Sequence, residues 1–265
     1  MPSPQTPRNE RKYVLTAFDA RIVAQRLGTV MTPDPHADAG GGYRVTSVYF
    51  DDVYLRAYRQ KIAGYPDRLK FRVRAYNGDW GHATLEAKVK HGGRIAKESA
   101  PLSEDECAKL LGGDYGWLLG RDEPAAREFF KQSRVWAGLK PVVAADYYRR
   151  AFYAPGGVRV TLDEGLRGAK PVCIGAEPGG DVFGGARAAV GGGIFGGTKQ
   201  SGGVFGGANP IRALCWRDAL GNRTILEVKC GGFFPAYIRD LFSGFGMRGE
   251  AVSKYVLCME KTYGL

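Results

Sequence analysis

Hydrophobic and polar residues alternate along several short stretches of the chain. Such alternation over about four to eight residues is typical of a strand with one face on a core and the other face on polar surroundings. The pattern predicts strands at 11–16, 44–50, 69–76, 83–90, 142–152, 158–163 and 223–230.

Helical spacing of apolar residues occurs in fewer places. Ser103 is followed by Glu106, a capping-box signature, ahead of Leu110 and Leu111. The pattern predicts helices at Asp19–Leu27, from Ser103, at 123–137 and at Pro235–Phe245. We therefore expect an α+β protein.

The polar face of the predicted strands is unusually cationic. In the strand at 69–76, Lys70, Arg72 and Arg74 share one face, and apolar residues share the other. An acid-x-Lys pattern occurs three times on such faces, at Glu10-x-Lys12, Glu86-x-Lys88 and Glu227-x-Lys229. A half-buried sheet often shows a solvated polar face, but a repeated cationic face favours strands curled around a common lumen.

A lumen lined by cations requires an anion. Two like charges about 4 Å apart repel by roughly 4 kcal/mol at an effective dielectric of about 20. A linear phosphate chain would remove this repulsion, because Arg and Lys both pair with phosphate. Glu86 and Glu227 on the same face are suited to bind a hard divalent cation that bridges phosphate oxygens.

Composition agrees with a polyanionic ligand. The 265 residues include 38 basic and 27 acidic side chains, for a net charge of +11. Five scattered cysteines without a CxxC pair indicate neither a disulfide framework nor a zinc site. No apolar run has the length of a membrane span, so we expect a cytoplasmic protein. His36, His82 and His91 are expected at the surface.

One segment differs from the rest of the chain. Residues 175–209 contain 14 glycines and a loose repeat of an aliphatic residue, Phe and two glycines. We expect a flexible insertion in a single domain that spans 1–265, and the role of the insertion stays open.

A set of short motifs, in order, resembles a known family. The motifs are Glu10-x-Lys12-Tyr13, Ser47-x-Tyr49-Phe50-Asp51, Lys70-x-Arg72-x-Arg74-x-Tyr76, Glu86-x-Lys88, Tyr147-x-Arg149-x-Ala151-Phe152, Arg159-x-Thr161-Leu162-Asp163, Glu227-x-Lys229 and Ser253-Lys254-Tyr255. Together they resemble the VTC domain, the polyphosphate polymerase domain of the vacuolar transporter chaperone family and its bacterial relatives, in the triphosphate tunnel (CYTH-like) superfamily. The Gly-rich segment is a departure from that pattern.

The resemblance implies an antiparallel β-tunnel with helices packed outside. It implies an ATP-dependent polymerase that adds the γ-phosphate of ATP to inorganic polyphosphate with a divalent metal, Mn²⁺ or else Mg²⁺. Its catalytic residues are expected to be Lys254, Arg149 and Lys88, and its metal ligand Glu227. Its substrate-binding residues are expected to be Lys12, Lys70, Arg72, Arg74, Lys97, Tyr147, Arg159, Lys229 and Ser253, of which Lys70, Arg159 and Lys229 are assigned mainly from their position on the strand face.

Other functions stay open at this point. A tunnel-fold inorganic triphosphatase would use the same cations to activate water, and a binding module would hold polyphosphate or an inositol polyphosphate without turnover. Nucleic acid is not expected as a partner, because few aromatic residues interleave the cations. The expected partners are ATP and polyphosphate; a separate membrane protein and the oligomeric state are left open.

Overall fold

The structure is a computed structural model that describes residues 8–92, 94–173, 211–213, 215–232, 234–246 and 248–265. The predicted flexible insertion at 175–209 lies outside these residues. No helix in the described ranges is long and apolar enough to cross a membrane.

The described residues form twelve strands and six α-helices. The strands are β1 (Arg8–Thr16), β2 (Thr32–Pro33), β3 (Tyr43–Asp51), β4 (Arg68–Tyr76), β5 (Asp79–His91), β6 (Arg94–Leu102), β7 (Lys140–Ala154), β8 (Val158–Ala169), β9 (Pro171–Cys173), β10 (Ile211–Ala213), β11 (Arg217–Asp218) and β12 (Arg223–Gly231). The helices are α1 (Ala17–Val30), α2 (Arg56–Ile62), α3 (Glu104–Gly112), α4 (Pro124–Val135), α5 (Ala236–Leu241) and α6 (Lys254–Tyr263). Short 3₁₀ helices occupy Gly116–Gly120 and Pro155–Gly157.

One large antiparallel sheet dominates the fold. Its strands lie in the order β1-β12-β8-β7-β3-β4-β5-β6, while β2 pairs with β7 and β11 pairs with β8. The strands β9 and β10 form a separate pair. The α+β class predicted from the sequence is confirmed.

The large sheet curls so that its two ends approach each other. Five strands separate β1 from β5 in the sheet order. Lys88 on β5 nevertheless lies near enough to Glu10 and Lys12 on β1 to interact with both electrostatically. The sheet face that carries Lys12, Lys88 and Arg149, which we call the inner face, therefore lines a tunnel.

Two apolar cores cover the outer face of the sheet. One packs β3, β4 and β5 against α3 and α4 around Phe50, Phe71 and Phe129. The other packs β1, β8 and β12 against α1 and α5 around Leu27 and Leu162. The alternation explains this arrangement, because the apolar residues of each strand point away from the cationic ones.

A third core closes one end of the inner face. Tyr255, Val256 and Met259 of α6 pack on apolar inner-face residues such as Val143 and Ile225, and α2 packs beside them. Asp51 at the end of β3 fixes α2, because its carboxylate accepts hydrogen bonds from the backbone amides of residues 57 and 58. Charged side chains of the inner face border this core, since Lys70 lies against the Tyr255 ring and Arg149 against the Tyr147 ring.

Most predicted elements are present in the structure. The seven predicted strands lie within β1, β3, β4, β5, β7, β8 and β12, and Ser103 forms the predicted capping box. The helix predicted at Pro235–Phe245 is shorter, since α5 spans Ala236–Leu241 and Gly244 at φ 90° breaks the helical path. The strand β6, the short strands β2, β9, β10 and β11, and the helices α2 and α6 were not predicted from the sequence.

Gly168 on β8 allows α6 to lie directly against the sheet. A Cβ atom at this position would come within 2.8 Å of Cys258 Cβ and 3.0 Å of Cys258 Cα. Because Cα is backbone, α6 itself would have to move. We expect Gly168→Ala to lower the free energy of unfolding by about 1–3 kcal/mol, the usual cost of overpacking.

Urea denaturation of the purified protein checks this expectation. Gly231→Ala is the matched control, since a Cβ there would meet nothing within 4 Å. Equal stability of the two variants would mean that α6 does not need the close approach at Gly168.

Candidate functional site

Cross-strand register brings the predicted site residues to the inner face. Lys12 pairs with Glu227, Arg72 with Glu86, Lys70 with Lys88, and Lys88 with Lys97. The register places Lys97 directly opposite Lys88. The predicted residues on this face are Lys12, Lys70, Arg72, Arg74, Lys88, Lys97, Tyr147, Arg149, Arg159, Glu227 and Lys229.

Glu86 is the centre of one ionic cluster. Its carboxylate lies 2.5 Å from Arg72 Nη2, 2.9 Å from Lys97 Nζ and 3.7 Å from Arg74 Nη1. Burial alone would raise the pKa of Glu86, but Arg72, Arg74 and Lys97 outweigh it and lower the pKa to about 2. Glu86 is therefore a permanent anion that fixes three cations from β4 and β6.

Glu227 forms a second ionic cluster at the other end of the sheet. Its carboxylate lies 2.8 Å from Lys229 Nζ and 3.7 Å from Lys12 Nζ, and Lys12 Nζ lies 2.9 Å from the carboxylate of Glu10. Burial would raise the pKa of Glu227, but Lys229 and Lys12 lower it well below its usual range. Two carboxylates thus share one lysine at this position.

A third cluster joins the sheet to α6. Asp163 on β8 is fully buried, accepts hydrogen bonds from Arg149 at 2.6 and 2.8 Å, and lies 2.5 Å from Lys254 Nζ. The ammonium of Lys254 also lies 4.9 Å from the centre of the Tyr147 ring. Burial opposes the charged form of Lys254, but Asp163 raises its pKa, so Lys254 stays protonated.

Asp163 and Thr161 are site residues that were not assigned from the sequence. Both were part of a family motif, but only contact geometry shows that Asp163 holds two predicted catalytic cations. The buried hydroxyl of Thr161 has no hydrogen-bond partner in the described part of the chain, although Thr161 lies opposite Glu227. A ligand in the tunnel would supply that partner.

Tyrosines line the tunnel near Arg159. Asp34 accepts hydrogen bonds from the hydroxyls of Tyr43 at 3.1 Å and Tyr153 at 3.0 Å, and Arg159 donates to the Tyr43 hydroxyl at 3.1 Å. Asp34 lies on the turn after β2, outside the alternating strands. For that reason the sequence pattern gave no signal for it.

Ser253 lies at the start of α6, and the three histidines are exposed. Ser253 is the N-terminal cap of α6 and lines a cleft of about 390 Å³ with Val14 and Lys61. The side chains of His36, His82 and His91 are 83% or more exposed. The expectation that the histidines are surface residues is confirmed.

The carboxylates of Glu10 and Glu227 fit a divalent metal only together with a substrate. No group of three metal-ligating side chains occurs in the described residues. Mg²⁺ or a similar ion nevertheless needs only one or two protein carboxylates when phosphate oxygens and waters complete its coordination. Glu10 and Glu227 could supply these two carboxylates. Glu86 fits less well, because three cations already surround it.

Comparisons with known proteins found one family model and similar solved structures. A family model described as VTC domain matches residues 7–263, and no curated protein matches the chain. A solved structure from Hippeastrum, described as a putative adenylyl cyclase with a dominant triphosphatase activity, has a TM-score of 0.51 and 12% identity over 96% of this chain and 95% of its own. A Pyrococcus horikoshii protein has a TM-score of 0.43 and 12% identity over 96% and 99% of the two chains. At this identity the Hippeastrum structure supports the fold alone.

Lys70 is expected to take up a proton when phosphate binds. Burial, together with repulsion from Lys61 and Arg68, lowers the pKa of Lys70 to about 7. At about pH 8 the free protein therefore holds Lys70 largely neutral, and a bound anion would raise its pKa and charge it. Calorimetric titration with tripolyphosphate in buffers of different ionisation enthalpy measures this uptake.

The Lys70→Met variant should take up fewer protons than the native protein at about pH 8. Tripolyphosphate itself exchanges the same number of protons with the native protein and with the variant. The difference in proton uptake between the two proteins is therefore due to Lys70. The Lys131→Met variant, altered on the outer helix α4, should match the native protein. Equal uptake by native protein and Lys70→Met would show that Lys70 is charged before the ligand arrives.

Proposed function

Because the chain belongs to the VTC domain family, we propose that it is a polyphosphate polymerase, which transfers the γ-phosphate of ATP to a growing chain of inorganic phosphate inside its tunnel. The family match over residues 7–263 supports a tunnel enzyme of polyphosphate chemistry. The finer assignment to ATP-dependent synthesis is our proposal.

The observation that carries this proposal is the excess of cations on the inner face. The cations there include Lys12, Lys70, Arg72, Arg74, Lys88, Lys97, Arg149, Arg159 and Lys229, with Lys254 added by α6. The acids that pair with them are Glu10, Glu86, Asp163 and Glu227, and Asp34 lies beside Arg159. A linear phosphate chain is the ligand that removes the remaining repulsion along a tunnel.

Phosphoryl transfer to a phosphate needs alignment and charge neutralisation more than a base. The transition state is loose, with charge spread over the oxygens of the transferred group. The acceptor is a terminal phosphate that is already ionised near neutral pH, so no side chain has to remove a proton. Fixed cations around the transferred group are sufficient for the electrostatic part of catalysis.

Lys254 and Arg149 are placed to supply that electrostatic part. Both contact the buried carboxylate of Asp163, so neither has to reorganise when the substrate arrives. We assign them, with Lys88 from the opposite wall, to the transferred phosphoryl group. The remaining inner-face cations then bind the rest of the donor and acceptor phosphates, and the free hydroxyl of Thr161 donates to a phosphate oxygen.

The state of the carboxylates favours synthesis over hydrolysis. A triphosphatase must activate water, and the natural base would be an inner-face carboxylate. The pKa of Glu86 is about 2, and the pKa values of Glu227 and Asp163 are also lowered against the effect of burial by neighbouring cations. Carboxylates of such low basicity are poor general bases near neutral pH.

Glu227 and Glu10 would hold the divalent metal, Mn²⁺ or Mg²⁺, in this proposal. Such an ion neutralises charge on the phosphate oxygens and orients them. Lys12 contacts both carboxylates. When a metal binds, the ammonium of Lys12 would therefore either move away or contact the same phosphate as the metal. Ser253 acts beside Lys254 at the start of α6 as a supporting phosphate contact.

ATP and polyphosphate are the proposed partners, and the cytoplasm is the proposed compartment. Cys215, Cys230 and Cys258 are free thiols. Free thiols agree with a reducing compartment that also supplies ATP.

Incubation of the purified protein with ATP and Mn²⁺ tests the proposal. We expect ADP and a phosphate polymer that migrates as a ladder on a gel. Release of orthophosphate without polymer would contradict polymerase activity and indicate a triphosphatase instead. Tight binding of polyphosphate without ADP formation would indicate a binding module without catalytic activity.

Glu227→Gln should reduce ATP turnover by about 10²-fold or more, because it removes the negative charge of a carboxylate that is proposed to bind the metal. The amide keeps the size of the side chain, and melting curves check that the fold persists. Glu104→Gln on the outer helix α3 is the matched control and should keep full turnover. Normal turnover of Glu227→Gln would remove Glu227 from the site.

A further inference from the structure

One corner of the tunnel contains cations without carboxylates. On the inner face of β4 and β5, Lys70 lies directly opposite Lys88, and the next pair along the strands is Arg68 opposite Lys90. None of these four side chains has a carboxylate within 4 Å in the described part of the chain. The adjacent pair, Arg72 and Glu86, has opposite charges. Like charges in directly opposed positions destabilise a sheet. These two pairs therefore do not contribute to folding stability, and a role in ligand binding would explain them.

A further cation approaches this corner from α2. Lys61 lies near enough to Arg68, Lys90 and Lys12 to interact with all three electrostatically. It also lines the cleft that contains Val14 of β1 and Ser253 at the start of α6. Lys61 therefore lies near β1, β4 and β5, next to the end of the tunnel that α6 closes.

The nearest aromatic and acidic groups neutralise the corner only in part. Glu10 and Glu227 attract Lys88 electrostatically, but each of these carboxylates has another lysine within 4 Å. Lys70 Nζ lies 4.9 Å from the centre of the Tyr255 ring, which gives a weak cation–π contact. Asp51 is close, but its carboxylate accepts hydrogen bonds from Tyr255 and from two backbone amides of α2. The charge of the corner is therefore available to a ligand.

The inner-face cations of β4 extend further than three phosphoryl groups require. From Arg74 to Arg68 the strand advances six residues, which is about 20 Å at about 3.3 Å per residue. Arg74 and Arg72 are held by Glu86, near the middle of the tunnel. A triphosphate that reaches from there to Lys70 and Lys88 would still leave Arg68, Lys90 and Lys61 without an anion.

We propose that Lys61, Arg68 and Lys90, next to Lys70 and Lys88, form a binding subsite for phosphoryl groups of a linear polyphosphate beyond the length of a triphosphate. This inference rests on the proposed function only in taking polyphosphate as the ligand. The three residues named first are assigned to no site by the family motifs.

The chemistry of the corner suits a chain that must move. Four of the five cations are lysines, whose ammonium groups act as point charges without a fixed fork. Such groups attract phosphates without imposing one register, so a chain can advance past them. The arginines near Glu86, in contrast, offer the planar geometry that holds one phosphate in place.

The test compares chain lengths in a binding experiment without nucleotide. Native protein and Lys61→Met are titrated calorimetrically with tripolyphosphate and with a linear polyphosphate of defined length at least twice as long. We expect Lys61→Met to bind the long chain about tenfold more weakly, the effect of one charge-assisted contact. Binding of tripolyphosphate should stay within about twofold of the native value.

Lys131→Met on α4 is the matched control and should leave both affinities unchanged. Arg68→Met is a second variant that should repeat the chain-length effect if Lys61→Met folds poorly. Equal loss for both ligands would overturn the subsite, because Lys61 would then belong to the triphosphate site. No loss for either ligand would also overturn it and make Lys61 an ordinary surface charge.

This outcome is separate from that of the ATP assay. A chain-length effect in a protein that yields only orthophosphate would keep the subsite and reject the polymerase. Polymer synthesis without a chain-length effect in the variants would keep the polymerase and reject the subsite.

Discussion

The repulsion among cations on one curled sheet face is the constraint on which the rest of the structure depends. The inner-face cations of the strands and Lys254 point into one tunnel, and carboxylates offset only part of their charge. Each carboxylate fixes several cations: Glu86 fixes those of β4 and β6, Glu227 those of β1 and β12, and Asp163 one from β7 and one from α6. The acids therefore order the tunnel wall, and the remaining positive charge is left for a ligand.

Apolar packing stabilises the curled sheet against the repulsion among its cations. Two outer cores hold the sheet in its curled shape from the side opposite the charges. A third core places α6 and α2 against one end of the inner face, and Gly168 lets α6 come close enough for Lys254 to reach Asp163. Stability and ligand binding thus depend on different faces of the same strands, so inner-face substitutions can change binding without removing the main cores.

The alternation of polar and apolar residues was enough to predict the strand faces, but contacts between distant segments left no such pattern in the sequence. Parity along β4, β5 and β12 put Lys70, Arg72, Lys88 and Lys229 on one face, and the capping box at Ser103 was predictable because it is local. No pattern marked α2 or α6, which are short and are held by Asp51 and the third core. The role of Asp163 was equally hidden, because its two cations come from a neighbouring strand and from the last helix. The assignment of catalytic roles stays a prediction.

Thermal unfolding in tripolyphosphate at constant ionic strength tests the central claim most directly. A ligand that binds only the folded protein stabilises it by about 2.7 kcal/mol at a concentration of about 100 times its Kd. For a chain of this size such a gain corresponds to a rise of several degrees in Tm. Our account predicts a rise that grows with tripolyphosphate concentration and is absent when sodium chloride replaces it. The same Tm in both salts would contradict a tunnel whose cations require a polyanion.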